Sequence, residues 1–176
     1  MPSTQHLILG GARSGKSRYA EGLCLSLHQQ NPETELIYIA TATADDPEMT
    51  ERIDQHQRRR GPEWQLRECT VDLGAALSNC HQECIVLIDC LTLWLSNCLH
   101  QTCWAPQRAK FLAALIGFEG TVVMVSNEVG SGIVPLGQLT REFVDQSGWL
   151  HQELASECSD VSLVVAGLPL KIKQSS

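Results

Sequence analysis

Five short apolar runs punctuate the chain: Leu7-Ile8-Leu9, Leu36-Ile37-Tyr38-Ile39-Ala40, Ile85-Val86-Leu87-Ile88, Thr121-Val122-Val123-Met124-Val125 and Val161-Ser162-Leu163-Val164-Val165. They are continuous and rich in β-branched residues rather than alternating with polar ones. That is the pattern of strands covered on both faces, and it predicts a mainly parallel sheet. Between the runs, apolar positions recur at helical spacing, as Ala20, Leu23, Cys24 and Leu27 do after the first. Helices are predicted at about 18–29, 47–60, 91–100, 107–118 and 138–157. Strand and helix in alternation give a layered α/β fold. The polar tail from Lys171 to Ser176 is expected to fray. With no repeat or linker to divide it, the chain is read as one domain spanning 1–176.

In such a sheet, ligands gather at the carboxyl ends of the strands, so the residues just after each run carry the candidate chemistry. The first run leads into Gly10-Gly11-Ala12-Arg13-Ser14-Gly15-Lys16-Ser17, which fits G-x-x-x-x-G-K-[ST] between a strand and a helix. Glycines let backbone N–H groups close around phosphate oxygens, and the helix N-terminus adds positive potential there. Lys16 is placed to reach the outer phosphates, and the Ser17 hydroxyl to ligate Mg²⁺. The motif predicts a three-layer fold of the P-loop NTPase type with a nucleoside triphosphate site. Asp89 ends the third run and reads as the carboxylate that holds Mg²⁺ opposite Ser17, or as the N-cap of the next helix. After the fourth run come Asn127 to Pro135, with two glycines and Glu128, a candidate general base or metal partner.

The segment from Asp45 to Trp64 opens acidic, closes on Arg58-Arg59-Arg60 and stops at Gly61-Pro62. One reading is a surface helix whose charges match its dipole; the other is that the arginines grip triphosphate oxygens. His56 lies one turn before the last arginine, where a lone histidine is ordinarily structural or solvent-facing.

Composition narrows the partners. A net charge of -7 argues against a general nucleic-acid binder, whose phosphate contacts need a basic surface. No stretch approaches the ~20 apolar residues that span a bilayer. The early glycine loop leaves no room for a secretory leader, so a cytoplasmic setting is expected. Eight cysteines there are expected to stay reduced. A zinc reading of Cys80, His81 and Cys84, or of Cys98, His100 and Cys103, lacks any C-x-x-C pair.

Taken in order, the motifs resemble one family. The matching text is Gly10 to Arg18, Tyr38-Ile39-Ala40-Thr41-Ala42, Asp46, Glu48-Met49, Arg52-Ile53, His56, Arg60, Trp64 and Glu68. It continues through Asp89-Cys90-Leu91-Thr92-Leu93-Trp94-Leu95-Ser96-Asn97, Asn127 to Pro135, Val164 to Gly167 and Leu170-Lys171. The chain is similar to the bifunctional adenosylcobinamide kinase / adenosylcobinamide-phosphate guanylyltransferases of cobalamin biosynthesis. The resemblance implies phosphorylation of the aminopropanol hydroxyl of adenosylcobinamide with ATP or GTP. Transfer of GMP from GTP onto that phosphate follows, through a guanylyl-histidine. It also implies a homotrimer. It makes His56 and Lys16 the catalytic candidates, and it implies that Ala40, Thr41, Ala42, Gln57, Arg58, Arg59, Arg60, Glu68 and Asp89 join the loop in holding nucleotide. Some members have two adjacent histidines where this chain has Gln55-His56, the earlier one treated as nucleophile. The family also commonly has proline directly after the last arginine, where Gly61 stands here. A small-molecule kinase without the transferase step is the alternative. A GTP-dependent switch is disfavoured, because Asn127-Glu128-Val129-Gly130 lacks the lysine and aspartate of N-K-x-D.

Overall fold

The apolar runs assemble into one seven-stranded sheet in a computed structural model that describes residues 4–42 and 61–174. Strand β1 (Thr4–Gly10) leads to helix α1 (Lys16–Gln30), then to β2 (Leu36–Ala40). After them come β3 (Trp64–Glu68), α2 (Leu73–Ser78), β4 (Ile85–Asp89), α3 (Leu91–His100), α4 (Trp104–Ile116) and β5 (Thr121–Asn127). The chain closes with α5 (Gln138–Glu157), β6 (Asp160–Val165) and β7 (Leu168–Lys173). The spatial order is β3-β2-β4-β5-β1-β6-β7. Every neighbouring pair is parallel except β6 with β7.

Alternate residues of the central strands enter two separate cores, which is why these strands read as unbroken apolar runs. Ile8, Leu36, Tyr38, Ile85, Leu87, Val123 and Val125 pack with Ala20 and Cys24 of α1. Leu7, Ile37, Ile39, Val86, Ile88, Val122 and Met124 face the other way, onto side chains of α2 to α5. The second core is built round Trp94, whose ring meets those of Trp104 and Phe111 edge-on at about 5.0 and 5.1 Å. The three-layer α/β expectation with a mainly parallel sheet therefore stands.

Four elements depart from the sequence reading. The short helix α2, capped by Asp72, had no prediction at all. The segment Trp64–Glu68 is polar and partly exposed, because β3 is an edge strand that needs little apolar cover. The expected fraying of the tail from Lys171 is corrected: Lys171 and Lys173 belong to β7, paired antiparallel with β6 on the opposite edge. Ala166 and Gly167, with φ of 52° and 79°, make the two-residue turn between them. Helix α4 begins at Trp104 rather than 107, with Pro106 in its first turn where a missing N–H costs nothing. The helix predicted at 47–60 lies outside the described residues.

The parallel register brings Gly10 level with Asn127 and Val164, and Ala40 level with Glu68 and Asp89. The carboxyl ends of the six parallel strands thus meet along one edge. Gly10 is the tightest point of that edge. A Cβ there would lie 2.5 Å from Ser14 Oγ and 2.7 Å from the Val164 carbonyl oxygen. Gly22, in the middle of α1, has nothing within 4 Å of the same position. Gly10→Ala is expected to cost about 2 kcal/mol or more of stability, since a backbone carbonyl of β6 must move. Gly22→Ala is expected to gain about 0.5–1 kcal/mol from helix propensity. Denaturant unfolding of the two variants measures the contrast, and a Gly10→Ala protein as stable as the parent would contradict the packing described.

Candidate active site

The glycine loop is held by its neighbours at both ends. Glu128 N–H donates to the Gly10 carbonyl at 3.0 Å, and Gly167 N–H to the Ser14 carbonyl at 2.8 Å. Within it, Ser14 N–H donates to Gly11 O at 3.3 Å, Arg13 takes a left-handed φ of 56°, and Gly15 takes φ 92° as the N-cap of α1. Gly15 has only 3.2 Å between its Cβ position and Gly167 Cα, so both its conformation and its surroundings call for glycine. Helix α1 has no side-chain cap and no acid in its first turn. Its leading N–H groups and dipole therefore favour an anion supplied from outside the helix.

Lys16 is buried, and its ammonium bridges the loop to the Gly11 carbonyl at 3.1 Å. Burial draws its pKa below the ordinary lysine value, while the nearby Asp89 and Cys90 pull the other way. Asp89 accepts a hydrogen bond from the Tyr38 hydroxyl at 3.1 Å through Oδ2. Of its two sequence readings, the N-cap one is overturned: Cys90 occupies that position of α3, and no side chain caps the helix. Burial, helped by the Asp89 charge, pushes the Cys90 thiol up to about 11, so it stays neutral. Ser17 and Asp89 offer a hydroxyl and a carboxylate, hard oxygens of the kind Mg²⁺ takes.

Around this centre the strand ends are tied by side chains. The buried Thr41 hydroxyl accepts from Cys90 N–H and donates to Cys90 O, both at 2.7 Å. The Thr41 N–H is taken up as well, donating to the Asp89 carbonyl at 3.2 Å, so the residue is tied into the fold by backbone and hydroxyl alike. Asn97 Nδ2 donates to the carbonyls of Thr41 and Thr70 at 3.0 Å each, and Thr92 Oγ1 accepts from Asn127 Nδ2 at 3.1 Å. Glu68 lies exposed at the end of β3, level with Ala40, and Ala42 follows at the edge. Burial tends to raise the Glu128 carboxyl, but hydrogen bonds from Ser131 and Gly130 outweigh it and hold the group below its usual range. His151 Nε2 meets the buried Ser126 Oγ at 2.7 Å, and burial keeps that imidazole below its ordinary pKa against the pull of Glu128.

The structure thus brings together Gly10, Gly11, Ala12, Arg13, Ser14, Gly15, Lys16, Ser17, Ala40, Thr41, Ala42, Glu68 and Asp89 along one edge. Gln55, His56, Gln57, Arg58, Arg59 and Arg60 lie outside the described residues. Two supports had no functional reading in the residues alone: the Tyr38 hydroxyl on Asp89, and Asn97 joining the segment after β2 to the one between β3 and α2; Gly167 was placed at this edge by its position after the fifth run, but not its N–H under the loop. Asn97 and Gly167 are polar or glycine residues next to buried runs, a faint signal; nothing local marks Tyr38 as more than core. Among the described residues, no group of three or more His, Cys, Asp or Glu side chains is placed to hold a metal ion, the two cysteine–histidine sets included.

A family model described as cobinamide kinase / cobinamide phosphate guanyltransferase matches residues 6–172. The bifunctional adenosylcobalamin biosynthesis protein CobP of Pseudomonas aeruginosa is 46% identical over 173 residues, covering 95% of this chain and 96% of that protein. The bifunctional adenosylcobalamin biosynthesis proteins CobU of Escherichia coli and Salmonella typhimurium are 35% and 36% identical over 184 residues, with 95% of this chain and 98% of each relative covered. Among solved structures, the flagellar accessory protein FlaH from Methanocaldococcus jannaschii superposes with a TM-score of 0.51 at 11% identity, over 99% of this chain and 80% of that one. That likeness concerns the fold alone. Motifs, sheet edge and near-complete coverage agree, and the chain belongs to the cobinamide kinase / cobinamide phosphate guanyltransferase family of bifunctional enzymes.

Proposed function

We propose that this chain, as a single domain over 1–176, phosphorylates the aminopropanol hydroxyl of adenosylcobinamide and then guanylylates the product, using one nucleotide loop for both steps. The observation that carries the reading is the shared edge of the loop and Asp89: Lys16, buried at the head of α1, bonds the Gly11 carbonyl at 3.1 Å, and Asp89 ends β4 at that same edge. In the first step the substrate hydroxyl attacks the γ-phosphate of ATP or GTP. Lys16 and the loop N–H groups offset the charge on the phosphoryl oxygens. Ser17 and Asp89 would hold Mg²⁺, which supplies further charge neutralisation when bound.

In the second step a nitrogen of His56 attacks the α-phosphate of GTP and pyrophosphate leaves. The phosphate of adenosylcobinamide phosphate then takes the GMP and frees the histidine. The attack uses the lone pair of the neutral imidazole. Arg58, Arg59 and Arg60, with Gln57, are the groups that would steady the transferred phosphate. Ala40, Thr41, Ala42 and Glu68 are proposed to line the nucleotide site, supported by their shared edge.

The proposed setting is the cytoplasm, and among the described residues no helix is long and apolar enough to cross a membrane. The proposed assembly is a homotrimer without nucleic acid. Leu168, Leu170 and Ile172, between 58% and 73% exposed along edge strand β7, support a self-contact. Sedimentation of a species three times 19.4 kDa is the expected result, and a monomer at working concentration counts against it.

With GTP labelled at the α-phosphate, an acid-labile covalent label is expected on the denatured parent and on Gln55→Ala, and none on His56→Ala. The His56→Ala protein should still phosphorylate adenosylcobinamide; labelling that persists in it would remove His56 from the mechanism. Asp89→Asn is expected to raise the Mg²⁺ concentration for half-maximal kinase activity by roughly tenfold or more. An unchanged Mg²⁺ curve would take Asp89 out of the metal's ligand set.

A further inference from the structure

The segment after β5 is the part of the sheet edge that the two transfer steps leave unused. It starts at Asn127, level with Gly10, and runs through Glu128 to Pro135. Strand β5 lies between β1, which leads into the glycine loop, and β4, which ends at Asp89. Neighbouring strands stand about 5 Å apart, so the end of β5 is one spacing from the start of the loop. Asp89 on β4 is two spacings away, about 10 Å, and Glu68 on β3 is four, about 20 Å. Of these three strand-end carboxylates, Glu128 has its backbone nearest the loop.

The residue is also held in place. Its N–H donates to the Gly10 carbonyl at 3.0 Å, and its Oε1 accepts from Gly130 N–H at 2.7 Å. A Cβ on Gly130 would lie 3.1 Å from that oxygen, so glycine keeps the carboxylate uncrowded. Asn127 Nδ2 on Thr92 ties the strand end to α3, and Ser126 meets His151 of α5. Against the effect of burial, hydrogen bonds from Ser131 and Gly130 keep the carboxyl below its usual range, hence ionised at neutral pH. A carboxylate offers about four acceptor positions, so these bonds leave room for one further donor.

We infer that Glu128 is the catalytic base of the kinase step, and of that step alone: its carboxylate accepts the hydrogen of the aminopropanol hydroxyl and aims the oxygen at the γ-phosphate. The inference rests on the kinase and transferase reading proposed above. A γ-phosphate held by Lys16 on one side and by Ser17 and Asp89 on the other lies across the end of β5, the strand between them. The lone pair of the hydroxyl oxygen attacks the γ-phosphorus, and the bond from phosphorus to the β–γ bridging oxygen breaks. ADP or GDP leaves with that electron pair. The hydroxyl becomes strongly acidic only as its oxygen bonds to phosphorus, so an ionised carboxylate of low basicity takes the proton late. The half-buried side chain then returns it to solvent. The second step needs no such base. Its two nucleophiles, a neutral imidazole and an ionised phosphate, attack through lone pairs they already carry.

The test measures the two steps separately on the full-length protein. Glu128→Gln keeps the N–H on Gly10 and an oxygen for Gly130, and removes the basicity. The kinase kcat is expected to fall roughly hundredfold, with KM for ATP within about twofold. Guanylyl transfer to pre-formed adenosylcobinamide phosphate is expected to stay within about twofold of the parent. Glu128→Asp, which keeps a carboxylate, should retain more kinase activity than Glu128→Gln. Thermal unfolding of both variants checks that they are folded. An unchanged kinase rate in Glu128→Gln would overturn the inference. So would loss of both steps together, which marks a structural role, or a raised Mg²⁺ requirement, which marks a metal ligand. A parent that phosphorylates no adenosylcobinamide would overturn the underlying reading as well, a result distinct from an active parent beside an equally active Glu128→Gln.

Discussion

The fold turns on the close approach between the glycine loop and the strand ends that enclose it. Gly10 leaves no room for a Cβ against the Val164 carbonyl, and Gly15 abuts Gly167. Two backbone hydrogen bonds, from Glu128 to Gly10 and from Gly167 to Ser14, fasten the loop to β5 and to the β6–β7 turn. A loop so constrained holds its N–H groups in place before any phosphate arrives, and preorganised dipoles stabilise charge without reorganising at the moment of reaction. The parallel sheet serves this arrangement. Its register places Gly10, Asn127 and Val164 level, so the loop is flanked by a strand on each side.

The same logic extends across the edge towards β2, β3 and β4. These strands end in chemistry rather than in packing, and buried polar groups there must be satisfied locally. Thr41 closes on the Cys90 backbone, Asn97 spans two carbonyls, and Thr92 takes up Asn127. These bonds leave the Asp89 carboxylate and the Lys16 ammonium at the edge, with Tyr38 orienting one carboxylate oxygen and the Gly11 carbonyl holding the ammonium. Helix α1, uncapped by any side chain, adds its dipole to the same spot.

How much of this was readable from the chain depends on burial. Strands β1, β2, β4, β5 and β6 lie inside the sheet, and two-sided burial writes itself as an unbroken apolar run. Strands β3 and β7 sit at the edges, so Trp64-Gln65-Leu66-Arg67-Glu68 and Leu168 to Lys173 carry mixed patterns that local reading passes over. The glycine loop was legible because its geometry demands glycine and lysine at fixed spacing. Asp89 was legible as a carboxylate at a strand end, though the cap role that was compatible with it falls to Cys90. Tyr38 escaped functional notice because a tyrosine in a buried run looks like core, and only the fold brings its hydroxyl to Asp89, fifty-one residues away.

The central claim is that one loop serves both attacks, at the γ-phosphate for the kinase step and at the α-phosphate for the transferase step. The most direct test is competition by a non-hydrolysable ATP analogue, measured separately against phosphorylation of adenosylcobinamide and against guanylyl transfer to pre-formed adenosylcobinamide phosphate. One shared site predicts inhibition constants that agree within about twofold, and parallel loss of both on Lys16→Ala. A transferase step that proceeds undisturbed at analogue concentrations that silence the kinase would contradict the account.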